Sequence, residues 1–104
     1  MRADPFYQSP KWLRLREKAL RRDGYMCQLS KRYGKWKQAE VVHHIFPRDE
    51  FPEYQYELWN LISLTVAQHH KLHDRTNGML SADGVNLLRK VARDQGVPVP
   101  LRYQ

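Results

Sequence analysis

Cysteine is almost missing from this 104-residue chain: Cys27 stands alone. That excludes an intramolecular disulfide, and with it a closed structural zinc site built on cysteine pairs. Long apolar runs are absent too. No stretch of eighteen apolar residues occurs, so no membrane-spanning helix is expected. The opening "MRADPFYQSPKW" lacks the apolar segment of a secretory signal, which together with the single cysteine suggests a reducing cytoplasm. Acidic residues are scarce in one region only. Residues 1–37 hold eleven Lys or Arg against three acids, whereas 38–104 hold seven against eight, within an overall net charge of +7. A basic third joined to a near-neutral remainder points to a polyanion, most simply nucleic acid, although a solvated helix face would carry the same residues. The length allows one domain, 1–104, with one modest core.

The chain is well punctuated. "SPKWLRLREKALRRDG" predicts a helix capped by Ser9, with Pro10 at its first position and Gly24 as its stop. Trp12, Leu15, Ala19 and Leu20 form its apolar stripe, and Lys11, Arg14, Lys18, Arg21 and Arg22 cover much of the rest. "YMCQLSKRYGKWKQ" is expected to form a strand and turn, and "AEVVHHI" a short β-branched strand. "FPRDEFPEYQYE" is a loop rich in acids and aromatics. Thr65 and Gln68 make a capping-box pattern that predicts a helix over 66–75, ending before the turn dipeptide Asn77-Gly78. A last helix is expected over about 84–95, burying Val85, Leu88 and Val91 or Ala92, with Gly96 ending it.

All five histidines lie between residues 43 and 73. His43 and His44 end the β-branched segment, where buried imidazoles need partners. His69 and His73 are one helical turn apart, with Cβ atoms roughly 6 Å from each other, a spacing that can chelate one metal ion. A third ligand from the strand end would complete a site with open positions. A metallopeptidase helix would need Glu directly after the first histidine, and His70 stands there instead. Core histidines bonded to carbonyls explain any one of the five better than they explain two clusters.

The stretch "RRDGYMCQLS … AEVVHHIFP … LWNLISLTVAQHHKLHD", about 21–75, resembles the HNH endonucleases with their ββα-metal (His-Me finger) motif. What carries the likeness is the His-His pair, Asn60 sixteen residues after His44, and His69 nine beyond that. His73 resembles the extra histidine of the colicin nuclease domains. The resemblance implies an α+β fold, a short antiparallel hairpin plus helix, flanked here by an N-terminal basic helix and a C-terminal helix. It implies His44 as general base, His43, His69 and His73 as metal ligands, and Asn60 as either a brace for the base-bearing loop or a ligand. For both His43 and His44 to reach one cleft, the strand is expected to end at His43. The implied cofactor is one divalent ion (Zn, Ni, Co, Mn or Mg), with imidazole favouring the transition metals over magnesium.

Many relatives carry two Cys-x-x-Cys pairs. The matching positions here read Cys27 with Ser30 and Thr65 with Gln68, so no structural zinc is expected, and Tyr25, Trp36 and Trp59 are expected to hold the fold by packing. The implied activity is DNA nicking or cleavage leaving 5′-phosphate and 3′-hydroxyl ends. Arg14, Lys18, Arg21, Arg22, Lys35 and Lys37 are the expected nucleic-acid contacts. Small members of this kind occur in phage genomes near packaging genes, which suggests a bacterial host cytoplasm and terminase subunits as partners. An idle nucleic-acid-binding module or a protein adaptor on the same scaffold is the alternative.

Overall fold

The computed structural model describes residues 4–104. Helix α1 (Pro10–Arg22) begins as expected: the Ser9 hydroxyl accepts a hydrogen bond from the Trp12 amide at 3.2 Å. Trp12, Ala19 and Leu20 are buried and Leu15 is half-buried. The helix stops because Gly24 and Tyr25 both adopt left-handed backbone, at φ 63° and 60°. The next segment differs from the expected strand. It forms a short helix, α2 (Gln28–Arg32), capped by the Cys27 sulfur, which accepts from the Ser30 amide. Of the expected strand only an isolated bridge, Met26 to Gln38, exists.

Strand β1 (Val41–His44) pairs antiparallel with β2 (Leu61–Leu64), placing His43 opposite Ile62 and His44 opposite Leu61. The "LISL" of β2 is buried throughout. Alternation then assigns the two faces. Val42 and Leu61 pack with Trp12 and Ala19 on the α1 side, whereas Val41, Ile62 and Leu64 join the larger core. That core also includes Phe46, Leu72, Leu87, Leu88, Ala92 and Tyr103. The connection 45–60 folds over fully buried Phe46, whose ring meets Phe51, Tyr54 and Trp59 edge-on.

Helix α3 (Val66–Lys71) is capped by Thr65, as its pattern predicted, but ends four residues short of 75. Ser81 explains the early stop: its hydroxyl and amide bond the carbonyls of Lys71 and Leu72, which a continuing helix would use. Helix α4 (Ala82–Gln95) starts about two residues earlier than expected, capped by Ser81, and ends at left-handed Gly96. It buries Gly84, Leu87, Leu88 and Ala92, while Val85 and Val91 are half-buried. Gly84 cannot be replaced cheaply, because a Cβ there would sit 2.3 Å from the Leu72 carbonyl oxygen. The C-terminal segment is pinned by Tyr103, whose hydroxyl donates to Glu50 and whose carbonyl accepts from Arg89.

The packing role expected of Tyr25 and Trp36 is not what the fold uses. Tyr25 is half out in solvent and Trp36 is 72% exposed, so of the three only Trp59 packs against the core. No helix among the described residues is long and apolar enough to cross a membrane.

Candidate active site and metal centre

Three of the expected ligands converge on the α3 side of the hairpin. His43 leaves β1, His69 sits in α3, and His73 follows the end of α3, where a backbone bridge to Leu80 fixes it. Their ring centroids form a nearly equilateral triangle with sides of 5.1, 5.2 and 5.0 Å. One nitrogen from each lies within 4.8 Å of the others, so the cluster could hold one metal ion. His43 is 3% exposed, and its Nε2 is buried with no hydrogen-bond partner. Such an orphan is costly in a folded interior, and a metal ion shared with His69 and His73 would give it a partner. Burial pushes the His43 pKa well below the usual histidine range, and the neighbouring His69 and His73 push it further. Burial also lowers His69, with His73 and His70 adding to it. Both shifts favour the neutral imidazoles of His43 and His69, the form that coordinates a metal. His70 is exposed and lies outside the cluster.

His44 goes the other way. The strand does not end at His43 but continues through His44, so the two rings leave opposite faces. This corrects the expectation of one cleft entered from one side. His44 stacks on Trp12 at 4.9 Å between centroids, with Phe6 and Tyr7 at 5.8 and 6.2 Å. Its Nε2 lies 3.1 Å from the Gln55 carbonyl oxygen. A carbonyl only accepts, so Nε2 carries the proton and Nδ1 keeps the lone pair. Burial lowers the His44 pKa; the Gln55 contact partly opposes this, and Arg48 adds to the lowering. Arg48 itself lies over the Phe6 ring and pairs with Asp4.

Asn60 is fully buried, and its role as a brace is plain from its bonds. Its Oδ1 accepts from the Phe46 amide at 2.7 Å, and its Nδ2 donates to the carbonyls of Phe46 and Tyr54, each at 3.2 Å. The side chain ties both ends of the 46–54 loop together, next to the Gln55 carbonyl that holds His44. Both atoms of its amide group are thereby engaged with the loop backbone, and none of its bonds goes to a histidine.

The basic residues divide. Arg14, Lys18 and Arg21 are exposed along one side of α1, and Lys35 and Lys37 are exposed in the loop after α2. Arg22 departs from the expected set. Its guanidinium donates to the carbonyls of Leu58 and Leu61 and to the Asp23 carboxylate, so most of its donors are taken up by the protein itself. Three of the four positions matching the relatives' cysteine pairs meet in space: the Cys27 sulfur is 3.2 Å from the Ser30 hydroxyl and 3.8 Å from that of Thr65. One thiol and two hydroxyls joined by hydrogen bonds offer a poor donor set for zinc.

Sequence reasoning missed the aromatic wall around His44 and the Gln55 carbonyl that selects its tautomer. Neither leaves a local signal, because Phe6, Trp12 and Gln55 reach His44 only through tertiary packing. A capped apolar "LISL" flanked by Asn60 and Thr65 could have revealed β2.

No family model matches the chain, and no curated protein matches it. Among solved structures it is similar to the HNH endonuclease of the deep-sea thermophilic bacteriophage GVE2, a crystal structure with manganese ion. The TM-score is 0.61 at 29% identity, over 88% of this chain and 80% of that one. The likeness covers more of the chain than the 21–75 stretch alone; the chain has an α+β fold with a two-stranded hairpin and helices, similar to that of an HNH endonuclease.

Proposed function

We propose that the protein is a metal-dependent endonuclease that nicks or cuts DNA by hydrolysing phosphodiester bonds. One observation carries the reading: the orphaned His43 nitrogen within a three-histidine triangle, one residue from a histidine whose tautomer leaves Nδ1 basic. The donor set fits a divalent ion, with His43, His69 and His73 as its ligands. When bound, that ion (zinc, nickel, cobalt, manganese or magnesium) would neutralise charge growing on the scissile phosphate and stabilise the departing 3′ oxygen.

The chain's own residues do the rest. His44 Nδ1 takes a proton from the attacking water while the Gln55 carbonyl steadies the imidazolium that results. Trp12 and Phe6 hold the ring in place, and Asn60 keeps the 46–54 loop, and so Gln55, at its post. A phosphodiester laid across the end of β1 meets the base from one face of the strand and the histidine triangle from the other. Attack opposite the 3′ oxygen leaves a 5′-phosphate and a 3′-hydroxyl. The net charge of +7 supports DNA as the polyanion. We infer further that it works in a bacterial host's cytoplasm, beside terminase subunits during DNA packaging; the structural neighbour is itself a bacteriophage protein.

The test is relaxation of supercoiled plasmid with each divalent metal in turn. Activity is expected to stop with chelator, and His44→Ala is expected to lose 10²–10⁴-fold while metal affinity stays within a few-fold. A parent protein that binds plasmid but leaves it supercoiled with every metal would instead favour the idle binding module.

A further inference from the structure

Beyond the histidine cluster, the loop after α2 carries an unusual surface. Tyr33 is 76% exposed and Trp36 72% exposed, three positions apart, on a segment whose only charged residues are Lys31, Arg32, Lys35 and Lys37. Single exposed aromatics need no explanation, but two large rings among four cations and no acid are a different matter. The loop is also rigid at its base: the Cys27 amide donates to the Lys37 carbonyl at 2.8 Å, and the Lys35 amide to the Ser30 carbonyl at 3.0 Å. Gly34, at φ 75°, makes the turn between the rings. The Lys31 ammonium lies 5.6 Å from the Trp36 ring centre, leaving most of the ring open.

Tyr33 also forms one wall of a groove of about 530 Å³ between α2, α3 and α4. Arg32, Lys35, Lys71 and Lys90 line that groove against a single acid, Asp83, although Lys90 also pairs with Asp94. Lys71 comes from α3, the same short helix that presents His69 to the metal cluster. The groove and the histidine cluster thus share α3: Lys71 lines the one and His69 belongs to the other.

We infer that this loop and groove hold an unpaired segment of the DNA substrate, with bases stacked on Trp36 and Tyr33 and phosphates against Arg32, Lys35 and Lys71. The inference rests on the nuclease reading for its choice of DNA and adds the class of substrate: strands with single-stranded character near the scissile bond. Stacking suits this surface because every base has a π-face and an open ring accepts it without sequence preference. A paired duplex hides those faces, so it would leave both rings idle.

The experiment measures binding of a labelled single-stranded DNA 20-mer and of a blunt duplex of the same sequence, in chelator, by fluorescence anisotropy. Trp36→Ala with Tyr33→Ala is expected to weaken single-strand binding at least tenfold and duplex binding less than twofold. Trp36→Phe with Tyr33 intact should restore most of the single-strand affinity. Both side chains are in solvent, so the variants are expected to fold, which unchanged melting temperatures would check. Equal losses on both substrates, no loss on either, or no single-strand binding by the parent would each overturn the inference. Its failure is separable from that of the nuclease reading: plasmid relaxation by the parent tests the latter alone, and aromatic-dependent single-strand binding tests the former alone.

Discussion

Replacing Asn60 by alanine separates a structural brace from a metal ligand. The side chain makes three hydrogen bonds, all to backbone groups of a loop whose Phe46 is fully buried. At about 1 kcal/mol net for each bond, their loss sums to about 3 kcal/mol. Desolvated groups left without partners push the figure upward, and water entering the space pulls it back. Against a total stability of about 5–15 kcal/mol for a domain of this size, the variant should still fold. Urea denaturation followed by tryptophan emission should show the midpoint falling by about 1.5 M, taking a slope near 2 kcal/mol/M. Zinc affinity of the folded variant, from isothermal titration, should stay within about threefold, since none of the three histidines bonds to Asn60. Plasmid relaxation should fall, because the Gln55 carbonyl loses its anchor. Asn60→Asp sharpens the contrast: a carboxylate would strengthen a metal site, but here it faces the Phe46 and Tyr54 carbonyls and should destabilise at least as much as alanine. Unchanged stability with weakened zinc binding in Asn60→Ala, or tighter zinc binding in Asn60→Asp, would refute the reasoning.

Four further outcomes are expected. His73→Ala should weaken zinc binding at least tenfold, and an unchanged titration would remove His73 from the ligand set. In chelator, stability should fall as pH drops below about 6.5. His43, His44 and His69 all have lowered folded-state pKa values, so the unfolded chain binds more protons there. For buried His43 the slope approaches about 1.4 kcal/mol per pH unit between its folded pKa and 6.5; a flat melting temperature from pH 7 to 5 would contradict that burial. Neutralising Arg14, Lys18 and Arg21 together should flatten the plot of log DNA affinity against log salt by up to about 2–3 units. Arg22→Gln should leave that slope alone and lower the melting temperature instead, and the reverse pattern would place Arg22 on the DNA.

What the chain declares by itself is whatever depends on neighbours in sequence. Ser9, Thr65 and Gly24 mark helix ends because capping and left-handed backbone act within a turn. The candidate metal cluster is legible too: helical spacing brings His69 and His73 together, and the family resemblance adds His43. The rest required tertiary contacts. The segment after Tyr25 reads as a strand but caps itself on the Cys27 sulfur, and α3 stops at Lys71 because Ser81, ten residues on, takes its last carbonyls. Trp36 and Trp59 are the same residue type, and nothing local says that one packs in the core while the other stands in solvent. The parting of His43 from His44 follows from β1 continuing one residue further in register with β2. Asn60 could be brace or ligand from its position alone; only the folded loop, which brings two carbonyls and an amide to its buried amide group, decides that it is a brace.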